Sequence, residues 1–582
     1  MRKLLKHLTD NYLKETILAP LFKMLEAILE LLVPLVVAAI IDTGIGSGDT
    51  GYVVKMALLL AAFGIVGLGF AVTAQYFSAK AAAGFARSVN GALFRKIQEF
   101  SYAQLDKTGT STLITRMTGD LNQVQSGVNL TLRLLLRSPF VVFGAMIMAF
   151  TIDFDMALIF AGAIPVLALV VFGVMFVTIP LYNKVRGGLD TVLRTTRENL
   201  TGVRVIRAFH KEQDEIQYFS GENQSLTRQQ KKVGRIAALM NPLTFVIINL
   251  AIILLINNGA VRVEAGILTQ GAVVALYNYM SQILVELIKL ANLIINITKS
   301  IACGRRIEKV LETEAMQKDG IEKNGFEGYL YAVEFRKASL RYPDAAENAL
   351  SDIDFTAERG STVGIIGGTG SGKSSLVNMI GRFYDAEEGE VFVDGLNVRD
   401  YEIEALRSKI GIVPQKAVLF KGTIRENMKW GNENATDEEI FKALELAQAK
   451  EIVEKKDGGL DHMIEQGGKN LSGGQRQRFT IARALVKKPE ILILDDSASA
   501  LDYATDAALR KSLKTLENTT VFIVSQRTSS IQHADKIVVL DDGEVAGIGT
   551  HDELLQSCEV YKEIHNSQFK KESDGKEGVN NG

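Results

Sequence analysis

An all-α membrane domain followed by an α/β domain is the fold class that this sequence predicts. Three observations carry it. Six long apolar runs fill the first 300 residues. From about residue 329, short β-like runs alternate with helical ones. Inside that second half, a glycine-rich loop lies between an apolar run and a helix start. The expected divisions are a membrane domain over 1–300, a charged, Gly-containing linker over 301–328, an α/β domain over 329–567 and a charged, disordered tail over 568–582.

Bulk properties set the limits. A chain of 582 residues is too long for one core. Its net charge of −2 gives no footing for nucleic acid. The two cysteines, Cys303 and Cys558, lie one in each half and support neither a disulfide framework nor a metal site. Met1-Arg2-Lys3 is basic, but Asp10, Lys14 and Glu15 break the apolar stretch a cleavable signal needs. Residues 1–14 read instead as an amphipathic helix on the inner membrane face.

In chain order, spans are expected near 17–41, 54–79, 130–151, 155–181, 241–263 and 269–298, each near the ~20 residues that cross hydrocarbon. The connections at 42–49 and 152–155 hold acids and no Lys or Arg. Those at about 80–129 and 182–240 are long and basic, with Lys80, Arg87, Arg95, Lys96, Arg194, Arg197, Arg204 and Arg207 among their residues. The basic connections are expected in the cytoplasm with both termini, and their helical patterning extends the membrane helices beyond the bilayer.

Charges occur inside the spans. Lys23, Glu26 and Glu30 form one helical stripe, and Glu286 and Lys289 stand three residues apart. A polar cavity wall and helix-to-helix pairing both explain them, and the sequence leaves the choice open. Arg133 and Arg137 are expected at the cytoplasmic mouth, snorkelling to the interface.

The α/β half is organised around Gly367-Gly368-Thr369-Gly370-Ser371-Gly372-Lys373-Ser374, which satisfies G-x-x-x-x-G-K-[ST]. Backbone N–H groups of such a loop turn inward on phosphates, aided by the following helix start. Lys373 would reach the β- and γ-phosphates and Ser374 would bind Mg²⁺. Tyr342, about 25 residues earlier, is placed to stack on adenine or is a packed tyrosine. Gln415 ends the run Ile410-Gly-Ile-Val-Pro-Gln415, where its amide can meet Mg²⁺ or an attacking water. Leu471-Ser472-Gly473-Gly474-Gln475 forms a second anion-binding helix start. One chain has no use for two γ-phosphate cradles so far apart, so this one would serve the ATP of a second subunit. Ile491-Leu-Ile-Leu-Asp495 reads as a buried strand delivering a carboxylate to Mg²⁺; Asp496 follows it, and Ser499-Ala-Leu-Asp502 forms a turn. Val521-Phe-Ile-Val-Ser-Gln526 is a further strand ending in an amide.

In order and spacing, these motifs resemble the ABC transporter ATPase over 329–567. Asp106-Lys-Thr-Gly-Thr110 and Glu198-Asn-Leu-Thr-Gly-Val-Arg-Val-Ile-Arg207 look like the two intracellular loops of ABC exporters. The resemblance implies a half-transporter, with two ATP molecules held between the phosphate loop of one chain and the Leu-Ser-Gly-Gly-Gln of the other. It places Tyr342, Gly367 to Ser375, Ser472 to Gln475 and Asp502 at nucleotide. It places Ser374, Gln415 and Asp495 at Mg²⁺, and Asp496, Gln526 and Gln415 at the chemistry.

Two positions depart from the pattern. The family's catalytic glutamate is Asp496 here, and its switch histidine is Gln526. Asp is one carbon–carbon bond shorter, about 1.5 Å, and Gln carries no positive charge. The combination resembles the degenerate-site subunit of bacterial heterodimeric multidrug exporters. It implies a non-identical partner chain with an intact glutamate and histidine, a plasma-membrane location among lipid, and a small amphipathic, drug-like or lipid-like substrate. A homodimeric lipid or peptide exporter and a slowly hydrolysing nucleotide-gated channel remain alternatives. No peptidase-like segment stands before the first span, which speaks against an exporter that processes leader peptides.

Overall fold

The computed structural model describes residues 2–314, 317–343 and 345–574. The chain separates into two compact units, Met1–Gln98 with Ser111–Thr313 and Glu99–Thr110 with Glu314–Gly582.

The first unit is helical. Its elements are α1 (Arg2–Ala39), α2 (Thr50–Gln98), then α4 (Thr110–Thr115), α5 (Leu121–Leu134) and α6 (Arg137–Ile152), after the short α3 (Tyr102–Thr108), which belongs to the second unit. They continue with α7 (Phe154–Ala208), α8 (Glu212–Ala238), α9 (Met240–Glu264) and α10 (Gln270–Glu312). Among the described residues, six helical stretches are long and apolar enough to cross a membrane. The 55 residues of α7 amount to about 80 Å of helix, against ~30 Å of hydrocarbon, so the surplus runs on through the basic connections. Non-helical backbone at Tyr12 divides α1, separating the N-terminal segment from the first span.

Small residues allow close helix contacts. A Cβ at Gly144 of α6 would lie 2.5 Å from Leu31 of α1, and one at Gly127 of α5 would lie 2.1 Å from Ser300 of α10. The Tyr279 hydroxyl donates to the Leu31 carbonyl at 2.6 Å, tying α10 to α1. Ile65, Leu169 and Phe176 point outward, as a lipid-facing surface requires.

Two expectations shift at the ends of this fold. α10 continues to Glu312, so the first part of 301–328 is helix. The Lys309 side chain in its last turn suits a helix C-terminus. The tail expected to be disordered from 568 is helical to Asp574, and its remainder lies outside the described residues.

In the second unit the strands are β1 (Tyr331–Leu340), β2 (Leu350–Glu358), β3 (Thr362–Gly367), β4 (Glu388–Val393), β5 (Leu396–Asn397) and β6 (Ile410–Val413). They continue with β7 (Gly422–Thr423), β8 (Met463–Ile464), β9 (Ile491–Asp495), β10 (Thr520–Val524), β11 (Lys536–Asp541) and β12 (Glu544–Gly549). Its helices are α11 (Lys373–Ile380), α12 (Ile403–Lys409), α13 (Ile424–Lys429), α14 (Asp437–Leu446) and α15 (Lys450–Glu454). After them come α16 (Gly473–Val486), α17 (Tyr503–Leu513), α18 (Thr528–Ile531), α19 (His551–Ser557) and α20 (Glu559–Asp574).

The main sheet has the order β12-β11-β3-β10-β9-β6, and every pairing from β11 to β6 is parallel. Its central strands read as continuous apolar runs because both faces are covered. An antiparallel sheet, β2-β1-β4-β5, packs against it. Phe335, Phe355, Leu376, Ile493 and Phe522 share the core between them. A second core under α14 and α16 gathers Ile440, Leu444, Phe479 and Ile481.

Candidate functional site

Strand register brings the motifs together. Val524 lies beside Asp495 and beside Ile365, and Leu494 lies beside Val413. The chain therefore leaves β3 at the phosphate loop, β6 toward Gln415, β9 at Asp495-Asp496 and β10 toward Gln526 at one end of the sheet. That is the carboxyl end, where ligands of open α/β sheets bind.

The loop after β3 needs its glycines. Gly370 and Gly372 have φ of +90° and +89°, a region that costs other L-residues about 1–2 kcal/mol. A Cβ at Gly372 would lie 2.6 Å from the Leu350 side chain, whereas one at Gly368 or Gly370 would meet nothing within 4 Å. The loop is thus braced at its base and open along its rim, a cradle in which backbone can approach a phosphate. Lys373 folds over it and donates to the carbonyls of Gly367 at 3.0 Å and Gly368 at 2.5 Å. Burial pushes the Lys373 ammonium below its ordinary pKa, and Asp496 and Asp495 oppose that shift.

Ser374 at the start of α11 donates to Asp495 at 2.9 Å. Burial holds the Asp495 carboxyl above the usual carboxylate range, against the Ser374 hydrogen bond. Asp496 is buried enough to be raised as well. It accepts from the Gln415 amide at 3.3 Å. Its φ is +44°, an uncommon backbone state, held by its N–H donating to the Val524 carbonyl at 3.0 Å. Such strain costs about 1–3 kcal/mol and gathers at functional positions. Hydroxyl, carboxylate and amide oxygens together are a hard donor set suited to Mg²⁺. The open cradle with its lysine suits a triphosphate.

The other expected residues fall into place unevenly. Gln526 is exposed and its carbonyl accepts from Gln568 of α20 at 2.7 Å. Asp502 caps α17, accepting from the Thr505 N–H at 2.9 Å and the Thr505 hydroxyl at 2.8 Å. Ser472 and Gln475 close a reciprocal cap on α16, with bonds of 3.3 and 3.1 Å, so their side-chain hydrogen bonds are made within their own motif. Gly474 sits close over the Ala500 carbonyl, with 3.1 Å for an added Cβ.

Tyr342 belongs to a chain of contacts that sequence reasoning did not find. Its hydroxyl is 2.8 Å from that of Ser375 on α11. Its ring meets Tyr384 edge-on at 5.0 Å. Tyr384 donates to Asp106 of α3 at 2.5 Å, and burial followed by Asp106 pushes its phenol well up. Beside it, Tyr102 of α3 stacks on Phe383 at 4.6 Å, and Arg407 lies over the same ring at 4.8 Å. Phe383-Tyr384, an aromatic pair just past the phosphate-loop helix, was the available signal.

The first unit holds a second polar site. Arg137 is buried and does not snorkel, contrary to the sequence expectation. Its guanidinium donates to Glu286 at 2.7 Å and to Glu30 at 2.5 Å. Glu286 also accepts from Ser138 at 2.8 Å and Lys289 at 2.9 Å. Lys23 pairs with Glu26 separately, at 2.5 Å. Two carboxylates on facing helices hold Arg137 inside the bundle, which outweighs an excursion to the interface.

A six-helix membrane domain joined to an α/β domain with this phosphate site defines a membrane-bound, nucleotide-using machine. Residues 16–287 match the ABC transporter transmembrane region and residues 350–499 the ABC transporter family. The chain is 36% identical over 556 residues to the uncharacterised ABC transporter ATP-binding protein YfiB of Bacillus subtilis, covering 95% of this chain and 96% of that protein. It is 30% identical over 542 residues to the ATP-dependent lipid A-core flippase of Vibrio vulnificus, covering 91% of each. The solved structure of a bacterial Atm1-family ABC exporter with ATP bound superposes with a TM-score of 0.78, at 22% identity over 96% of this chain and 98% of that one. This chain belongs to the ABC transporter family. It is a half-transporter of that family, six membrane helices fused to one ATPase domain, and so works with a second half.

Proposed function

We propose that this chain is the degenerate-site subunit of a heterodimeric exporter of amphipathic, drug-like or lipid-like compounds. The observation that carries the reading is the pair Asp496 and Gln526 at the ends of β9 and β10. Both stand where the γ-phosphate of a nucleotide in the Gly367–Ser374 cradle would be handled. Asp496 is short by about 1.5 Å, and misplacement by ~1 Å can cost ~10²-fold in rate. It is also engaged by Gln415. Gln526 supplies neither charge nor an exchangeable imidazole proton.

In this reading Lys373 and the loop N–H groups bind phosphate oxygens, Tyr342 faces adenine, and Ser374, Asp495 and Gln415 hold Mg²⁺. Mg²⁺ bound there supplies neutralisation of charge on the phosphoryl oxygens. This chain's site then holds ATP and turns it over slowly. Its intact Ser472-Gly473-Gly474-Gln475 completes the faster site on a partner that has the glutamate and histidine. The Tyr342–Tyr384–Asp106 contacts support a route by which nucleotide at α11 is felt at α3. The basic connections support a cytoplasmic ATPase domain and cytoplasmic termini. Likeness to a protein named as a lipid A-core flippase supports lipid-like substrates.

The test is ATP turnover by the purified chain alone and with the chain that co-purifies with it. The expected result is tight ATP binding with near-background turnover alone, and substrate-stimulated turnover in the pair. Ordinary transporter rates from a homodimer of this chain would overturn the reading.

A further inference from the structure

We propose that the membrane domain carries a head-group site for a zwitterionic amphiphile with a primary ammonium, with Glu30 meeting the cation and Lys289 the anion. The proposal rests on the export reading above and adds to it the class of substrate.

Charge balance is the first argument. Glu30, Glu286, Arg137 and Lys289 form two acids and two bases in one connected group. Lys23 and Glu26 form a further neutral pair. A ligand with net charge would leave one charge unmatched in a membrane interior, where such charge is expensive. A zwitterion adds none.

Exposure then sorts the group into two layers. The side chains of Glu286 and Arg137 are only 3% and 7% exposed, whereas Glu30 and Lys289 are 38% and 44% exposed. The inner pair, with Ser138, staples α10 to α6 and satisfies Glu286 by itself. Stapling does not require the outer two to face open space. Both line one cavity of about 480 Å³, within the range of small-molecule sites.

The cavity is rich in acceptors. Among the described residues, Glu30 receives one donor, Arg137 on Oε2. The Oε1 of Gln282, also in the wall, is buried with no partner. Pro34 lines the cavity as well, and having no N–H it cannot donate to the Glu30 carbonyl one helical turn back. Acceptors on residues that share this wall suit an ammonium with several N–H donors. Lys289 donates to Glu286 at 2.9 Å, and its half-exposed ammonium has further N–H donors to meet a phosphate or carboxylate. Val33 and Val37 provide an apolar flank. A second cavity of about 520 Å³ shares Glu30 and Val33 and is lined by Glu26 and Arg137 as well as by Leu60, Phe63 and Leu68; its apolar residues suit a hydrocarbon chain attached to the head group.

The experiment uses the full chain with its co-purifying partner in lipid nanodiscs. Equilibrium binding is measured for three probes sharing one tail: radiolabelled hexadecylphosphoethanolamine, hexadecylamine and hexadecyl phosphate. Binding of a fluorescent ATP analogue is read on the same sample. The zwitterion is expected to bind about tenfold more tightly than either half-charge probe. Glu30→Gln should erase its advantage over hexadecyl phosphate, and Lys289→Gln its advantage over hexadecylamine. Lys289→Gln leaves Arg137 and Ser138 on Glu286, so it reports even if Glu30→Gln fails to fold. Equal binding of all three probes, or variants that keep the wild-type order, would overturn the proposal. Absence of ATP binding would instead strike at the export reading.

Discussion

Two helices of the ATPase domain begin where the proposed function puts anion sites, and they differ in their company. The N-terminus of α11 receives a lysine, a serine bonded to Asp495, and Asp496 and Gln415 from neighbouring strand ends. Among the described residues, no hydrogen bond brings such companions to Ser472 or Gln475 at the N-terminus of α16. Ser472 and Gln475 cap each other, and the nearest neighbour of Gly474 is the Ala500 carbonyl. A helix start with its own lysine and carboxylates belongs to the chain that carries it. One with nothing but a cap and glycines is half of a site. The difference is what the proposed function requires of a chain that holds one nucleotide and lends a surface to another.

The strongest way to break that comparison is Lys373→Ala. It should weaken ATP binding to this chain by 10²-fold or more, since a phosphate clamp in a partly dehydrated site is lost, as filter binding or calorimetry would show. Retained affinity would place the nucleotide elsewhere. Ser472→Ala should cut turnover of the paired complex by about 10²-fold, yet leave ATP binding to this chain unaltered. A loss of this chain's own binding would mean that both helix starts serve one nucleotide. Asp496→Glu with Gln526→His should raise turnover at the α11 side about tenfold or more, measured in a complex whose partner is disabled.

Smaller effects sharpen the picture. Tyr384→Phe deletes the bond to Asp106 but keeps the ring against Tyr342, so ATP affinity should hold while substrate stimulation of turnover falls a few-fold. Unchanged stimulation would remove α3 from the α11 side. Asp495→Asn should slightly raise the melting temperature of nucleotide-free protein. Burial raises the Asp495 pKa above its unfolded value near 3.9. The native state then binds the proton more readily, so stability rises as pH falls from the raised native pKa toward 3.9, and the neutral amide should flatten that slope.

Much of this was legible in the chain. The glycine loop, Asp495 and Leu471–Gln475 announce themselves because phosphate chemistry demands fixed residues at fixed local spacing. The six spans follow from hydrocarbon thickness alone. What escaped was long-range. Arg137 reads as a snorkelling residue until Glu30 and Glu286, 107 and 149 residues away, are placed beside it. Tyr384 has no motif, and its meaning comes from Asp106, 278 residues earlier. Local spacing reports chemistry that stays local, while pairing across helices is decided by packing.

The clasp of Gln568 bears on practice. Its amide donates to the Gln526 carbonyl and its oxygen accepts from the Thr528 N–H and hydroxyl. α20 therefore grips the segment that should respond to the γ-phosphate. An affinity handle or fluorescent fusion joined beyond α20 would be attached to the helix that makes this grip, so rates from tagged and tag-free preparations deserve side-by-side comparison before any slowness is credited to Asp496.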